Sequence, residues 1–179
     1  QKYGGYTEAN AQEFSRIMQK KLGWSRYGNP KYVSAVYRYL VFSSNGKWGS
    51  PFVGKDWNSR VSSDFGWRTD PLNGKKAFHE GLDIAYPTGT KIHAVSGGVV
   101  TSVVYSKTGY GHHVRVDCGN GVTVLYAHCS KILVTKGQSI STGQAIAEVG
   151  ATGRVTGAHL HLGVLVNGKE VNPREYIGG

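Results

Sequence analysis

The run HHVRVDCGNGVTVLYAHCS, residues 112–130, leaves few folds open. Two apolar-alternating stretches flank Gly119-Asn120-Gly121, a turn sequence that suits a tight β-hairpin. The turn predicts a register in which Cys118 faces Val122, Val116 faces Val124, Val114 faces Tyr126 and His112 faces His128. That register puts Cys118 and Cys129 near opposite ends of the ladder, roughly 20 Å apart at ~3.3 Å per residue, so no bridge between them is expected. Further runs, TKIHAVSGGVVTSVVYS, QAIAEVGATG and AHLHLGVLVNGKEVNP, repeat the pattern of short strands broken by Gly and Asn. From about residue 46 the chain therefore reads as mostly β: a compact, Gly-rich antiparallel sheet domain, residues 46–179.

Residues 1–45 have a different texture. Phe14, Ile17, Met18 and Leu22 follow helical spacing after a capping Thr7, and Asn29-Pro30 opens a second helical pattern through Val33, Val36, Tyr37, Leu40 and Val41. A short helical segment ahead of the sheet is expected, either as an accessory or as the tail of an upstream domain. It holds no histidine and only Glu8 and Glu13 as acids, so it cannot build a metal site. The chain starts at Gln1, which suggests a processed product or a piece of a longer parent chain with other domains.

Composition excludes some classes. No apolar run approaches the ~18 residues of a membrane span. The formal charge of +10 draws the protein toward polyanions, cell-wall polymers among them. No Lys/Arg block marks a nucleic-acid patch. With two cysteines and no Cys-x-x-Cys, any metal must rely on His, Asp and Glu.

Three stretches carry those residue types. In HEGLDI, His79 and Asp83 sit on one face of an extended segment, with Gly81 leaving room between them. In GAHLHL, His159 and His161 are two apart and project together from a strand, while Leu160 and Leu162 face the other way. In LYAHCS, His128 closes the hairpin strand. His79, Asp83 and one histidine of the His-x-His pair make two imidazoles and one carboxylate, the three-ligand shell of a catalytic zinc with an open fourth position. Strand geometry does not choose between His159 and His161.

HEGLDI, LYAHCS and GAHLHL, in this order and separated by Gly-rich strands, resemble the LytM/lysostaphin-type zinc endopeptidases, the M23 metallopeptidase family. The resemblance covers most of residues 50–176, including SSDFGWRTDPLNGKKAFHEGLDIAYPTGTKIHAVSGGVV. It implies the lysostaphin-type peptidase fold, Zn²⁺ as cofactor, His79, Asp83 and His161 as metal ligands, and His128 and His159 as catalytic histidines that do not bind metal. It implies cleavage of peptides in the stem or cross-bridge of bacterial peptidoglycan. The expected setting is extracellular or at the bacterial cell wall, whether secreted or phage-delivered. The chain departs from the pattern at two places. Some glycyl-glycine-cleaving members carry a tyrosine a few residues before the first ligand histidine, whereas DPLNGKKAF has none. His112 stands where many relatives have asparagine. Two other readings use the same residues: a wall- or partner-binding member that does not cut, and a histidine phosphocarrier domain. Metal content separates them from the enzyme.

Overall fold

The computed structural model describes residues 48–178. The helical segment expected over residues 1–45 lies outside the described residues. Within them the chain forms twelve strands. These are β1 (Val61–Ser63), β2 (Gly66–Thr69), β3 (Lys76–His79), β4 (Leu82–Ile84), β5 (Lys91–His93) and β6 (Gly98–Val104). Then follow β7 (His112–Asp117), β8 (Val122–Ile132), β9 (Ser139–Ile140), β10 (Ala145–Val149), β11 (Leu160–Val166) and β12 (Lys169–Val171). Ten strands build one antiparallel sheet, ordered β1-β4-β11-β8-β7-β6-β9, with β10 joining β8 to β5 and β12 added to β11. β2 and β3 form a separate two-stranded sheet.

The hairpin at 119–121 forms as its sequence requires. Gly119, Asn120 and Gly121 all take left-handed φ, at 81°, 51° and 75°. Glycine reaches that region without steric cost, and asparagine tolerates it. Cys118 N–H donates to Val122 O at 2.9 Å, and Val116 pairs with Val124 and Val114 with Tyr126. Beyond Val114 the expected register fails: His112 pairs with Cys129, not with His128. Between Tyr126 and Cys129 the longer strand carries one extra residue, a β-bulge. His128 sits in it with φ of +61°, a left-handed conformation that a side chain with a Cβ seldom adopts. Its N–H turns away from β7 and donates to Tyr110 O at 2.9 Å. Thr152 covers the gap, its hydroxyl accepting from His112 N–H and donating to Cys129 O.

The bulge is also where β8 changes partners. Residues up to Ala127 pair with β11, while Cys129, Lys131 and Ile132 pair with β10. The core lies on one face of this bent strand. Val122, Val124 and Tyr126 pack there with Leu82, Ile84, Val114, Val116, Leu160, Leu162 and Val164. Leu160 and Leu162 are fully buried and flank His161. Exposing either leucine would cost about 1.5–3 kcal/mol, which holds β11 against rotation and fixes His161 on the opposite side. Cys118 and Cys129 are both buried and are not bridged to each other, as the ladder geometry requires.

Candidate metal centre

His161 of β11 lies directly opposite Asp83 of β4 in the sheet. His79 arrives from elsewhere. It ends β3, opposite Gly66 in the small sheet, so His79 and Asp83 do not share one strand as the sequence suggested. Glu80 and Gly81 carry the chain from one sheet to the other. Gly81 is what permits the approach. A Cβ built on it would stand 2.6 Å from His161 Cε1 and 2.7 Å from the Leu162 carbonyl oxygen. His79, Asp83 and His161 are all buried, and one ligand atom from each lies within 4.8 Å of the others.

Hydrogen bonding determines which atoms face inward. His79 Nδ1 lies 2.8 Å from the Asp64 carbonyl oxygen, which can only accept, so Nδ1 carries the proton. In the neutral ring Nε2 is then a lone pair, and it points to Asp83 Oδ1 at 3.1 Å and His161 Nδ1 at 3.2 Å. His161 Nδ1 lies 2.8 Å from the same Asp83 oxygen. On the far side of that ring, His161 Nε2 is buried without a hydrogen-bond partner among the described residues. Burial works to raise the Asp83 pKa, but the hydrogen bonds and charges of His161 and His79 outweigh it and hold the carboxyl far below the carboxylate range. Burial lowers the His161 pKa. Neutral imidazole and ionised carboxylate are the protonation states that bind a cation. Two nitrogen donors and one oxygen donor, crowded together in a buried place, fit a divalent metal of the zinc type.

His128 and His159 stand beside this cluster with ring centroids 4.8 Å apart. Each is fixed by its Nδ1, His128 to Thr152 O at 2.8 Å and His159 to Gly157 O at 2.9 Å. Both acceptors are carbonyls, so each Nδ1 donates and each Nε2 is left for the groove. His159 Nε2 lies 3.6 Å from Asp83 Oδ1. Burial pushes the His128 pKa down to about 4, against a smaller upward pull from Thr152 O. Near neutral pH its ring is uncharged and its Nε2 is a free base. His112, expected beside it, instead packs on Tyr105 with centroids 5.2 Å apart, and its Nδ1 accepts from Ser106 N–H.

The five residues lie on the floor of an open groove of about 620 Å³, walled by Arg68, Thr69, Leu72, Tyr110, Arg154 and Thr156 among others. Tyr110 was not singled out by sequence reasoning. Its ring centroid is 5.4 Å from that of His161, and its hydroxyl donates to Glu80 at 3.2 Å. Burial and the Glu80 charge raise its pKa. The DPLNGKKAF loop holds no tyrosine, and the tyrosine on the groove wall comes from GYGHH instead. The two glycines around Tyr110 were the available signal. Arg154 grips both oxygens of Asp70, at 3.1 and 2.9 Å, and its N–H donates to Gly109 O. That contact ties together three loops around the groove.

Buried nitrogen and oxygen donors converging at the floor of an open groove, with two more imidazoles alongside, define a β-sheet protein with a site of the metallohydrolase type. Comparison with known proteins narrows this class. Residues 77–173 match peptidase family M23, and the chain belongs to that family. It is 43% identical over 114 residues to "Peptidoglycan DD-endopeptidase ShyA" of Vibrio cholerae, an alignment covering 63% of this chain and 26% of that protein. The chain thus spans about a quarter of the length of the curated relatives it matches. A crystal structure of a zinc-containing peptidase from Vibrio cholerae superposes with a TM-score of 0.58 at 37% identity, covering 63% of this chain and 35% of that one. The catalytic domain of the antimicrobial peptidase lysostaphin from Staphylococcus simulans gives 0.59 at 27% identity, covering 66% and 92%. The mostly antiparallel sheet is the lysostaphin-type fold. Among the described residues no helix is long and apolar enough to cross a membrane.

Proposed function

We propose that residues 46–179 form a zinc-dependent endopeptidase domain that hydrolyses a peptide bond in the stem or cross-bridge of bacterial peptidoglycan. The observation that carries this reading is the convergence of His79 Nε2, Asp83 Oδ1 and His161 Nδ1 in one buried place. In it, His79, Asp83 and His161 hold the metal. Zinc held there supplies Lewis acidity toward the scissile carbonyl and a water that ionises near neutral pH. His128, neutral and fixed by Thr152, accepts the proton released as water attacks the amide and returns it to the departing amine. His159 presents its Nε2 to the same space and hydrogen-bonds the developing oxyanion when protonated. The peptidoglycan endopeptidases among the relatives support the substrate class, and the basic composition suits an anionic wall. The reading places the domain outside the cytoplasm, at the cell wall, in a longer parent protein. Residues 1–45 are an accessory to it.

The test is digestion of purified peptidoglycan by the zinc-loaded protein, with new amino termini identified by mass spectrometry. New termini should appear, vanish with a chelator and return with added zinc. Intact walls after incubation with fully zinc-loaded, folded protein would overturn the reading.

A further inference from the structure

Two arginines line the groove, and they differ in what already occupies them. Arg154 spends its guanidinium on both oxygens of Asp70. Arg68 is half-buried, and its one ionic contact among the described residues is a 3.7 Å approach to Asp83 Oδ2. It makes no hydrogen bond among the described residues. A guanidinium carries five donors in a planar fork, so nearly all of its capacity is unspent in a partly desolvated wall.

Its position is set by register. Arg68 on β2 pairs with Ala77 on β3, two residues along from the Gly66–His79 pair. Arg68 and His79 therefore share the face of the small sheet that turns toward the cluster. The side chain opposite Arg68 is a methyl group, which leaves the guanidinium room along the wall. Asp83 directs its other oxygen, Oδ1, at His79, His159 and His161. A dication drawing on that carboxylate reduces what Asp83 offers Arg68, and the fork is left facing the groove with its charge less compensated.

We infer that Arg68 is a specificity-determining residue that binds a free carboxylate of the substrate peptide, close to the scissile amide. The inference rests on the peptidase reading given above. A planar fork prefers a planar two-oxygen partner, and the pair forms two parallel charge-assisted hydrogen bonds. Arg68 Nη2 lies 3.7 Å from Oδ2 of Asp83, one of the proposed metal ligands, so a carboxylate held by the fork belongs to a residue near an amide held at that metal. The preferred substrates are then acidic peptides, and neutral all-glycine bridges are poor ones.

The bond cut in purified wall fragments is first identified by mass spectrometry. Two matched peptides containing it are then compared, one with a carboxylate beside the scissile amide and one with the corresponding carboxamide. The zinc-loaded wild-type chain should favour the carboxylate in kcat/KM by roughly 10–100-fold, the range expected for hydrogen bonds to a charged partner. Arg68→Gln should bring that ratio close to one, and Arg68→Lys should restore part of it. Metal content and circular dichroism confirm that each variant is loaded and folded. Equal cleavage of both peptides by wild type overturns the proposal. So does a parallel loss on both in Arg68→Gln, which marks a structural or oxyanion role. If the loaded wild type cuts no bond in the wall fragments, the peptidase reading has failed, and calorimetric titration of a short wall peptide with a free carboxylate and of its carboxamide decides the carboxylate site separately. Selective weakening of carboxylate binding by Arg68→Gln sustains it, and equal affinities overturn it.

Discussion

The floor of the groove and its walls are built on opposite plans. On the floor, Asp83 and His161 face each other across paired strands, with fully buried Leu160, Leu162, Leu82 and Ile84 beneath them. The walls come from loops and from the two-stranded sheet, whose β3 also delivers His79 to the floor: Arg68, Tyr110, Arg154 and Thr156. The floor is held by core packing, and the walls by single contacts such as Asp70–Arg154 and Glu80–Tyr110. A site arranged this way has a fixed chemistry and an adjustable fit. His128 belongs to both regions, since it lies on a sheet strand but in a bulge that a loop carbonyl holds open.

The comparison can be tested, beginning with the most damaging change. Asp83→Ala removes the oxygen that the histidines converge on. Metal should fall from about one equivalent to almost none by elemental analysis, and wall hydrolysis to background, because two protein ligands do not hold zinc. Full metal retention would mean that the floor is not the metal site. His128→Ala should keep the metal and lower kcat by ~10²–10⁴-fold in a wall-digestion assay, the range for a lost general acid–base group. Loss of metal in that variant would move His128 from the edge of the site into the floor. Gly81→Ala inserts a methyl group against His161 and the Leu162 carbonyl, where backbone blocks retreat. Its zinc affinity should fall about 10–100-fold in a competitive chelator titration, the scale seen when a ligand's support is disturbed.

The smallest effect should come from the sheet behind the site. Burial pushes both cysteine thiols up to about 12, so at pH 8 the thiolate is roughly one part in 10⁴. Because these values are raised, the reactive form is absent throughout the neutral range and grows only as pH climbs toward them. Mass spectrometry after iodoacetamide treatment at pH 8 should find the native protein unlabelled, and the denatured protein labelled at both positions. Rapid labelling of native protein would show that the sheet opens as readily as the walls.

The same division decides what could be read in the sequence. The strand-borne residues announced themselves by spacing: His159 and His161 two apart, and Val114, Val116, Val124 and Tyr126 in register through the Gly-Asn-Gly turn. Period-two alternation is a property of the chain itself, so it survives without a structure. The register failed at His112 because a bulge is specified by partners far away, here Thr152 and Tyr110, and by no local pattern. Arg68, Tyr110 and Arg154 were missed for a related reason. Their place in the groove depends on where loops meet, and an arginine in WRT or a tyrosine in GYG reads as ordinary surface. The turn of the chain between His79 and Asp83 was hidden too, since Glu80-Gly81 looks extended in either sheet arrangement.

One consequence follows from how far apart in the chain the floor residues lie. His79 meets His161 across 82 positions, and Asp83 meets it across 78. An ion held between them would knot the ends of a loop that contains most of the sheet. In polymer terms it is a cross-link, and closing a loop of that length in an unfolded chain costs about 4 kcal/mol of configurational entropy. The folded sheet has already met that cost, so the ion finds its ligands gathered and the sheet gains a clasp that an unfolded chain cannot fasten. With no disulfide between Cys118 and Cys129, the durability of such a domain would follow the local supply of free metal.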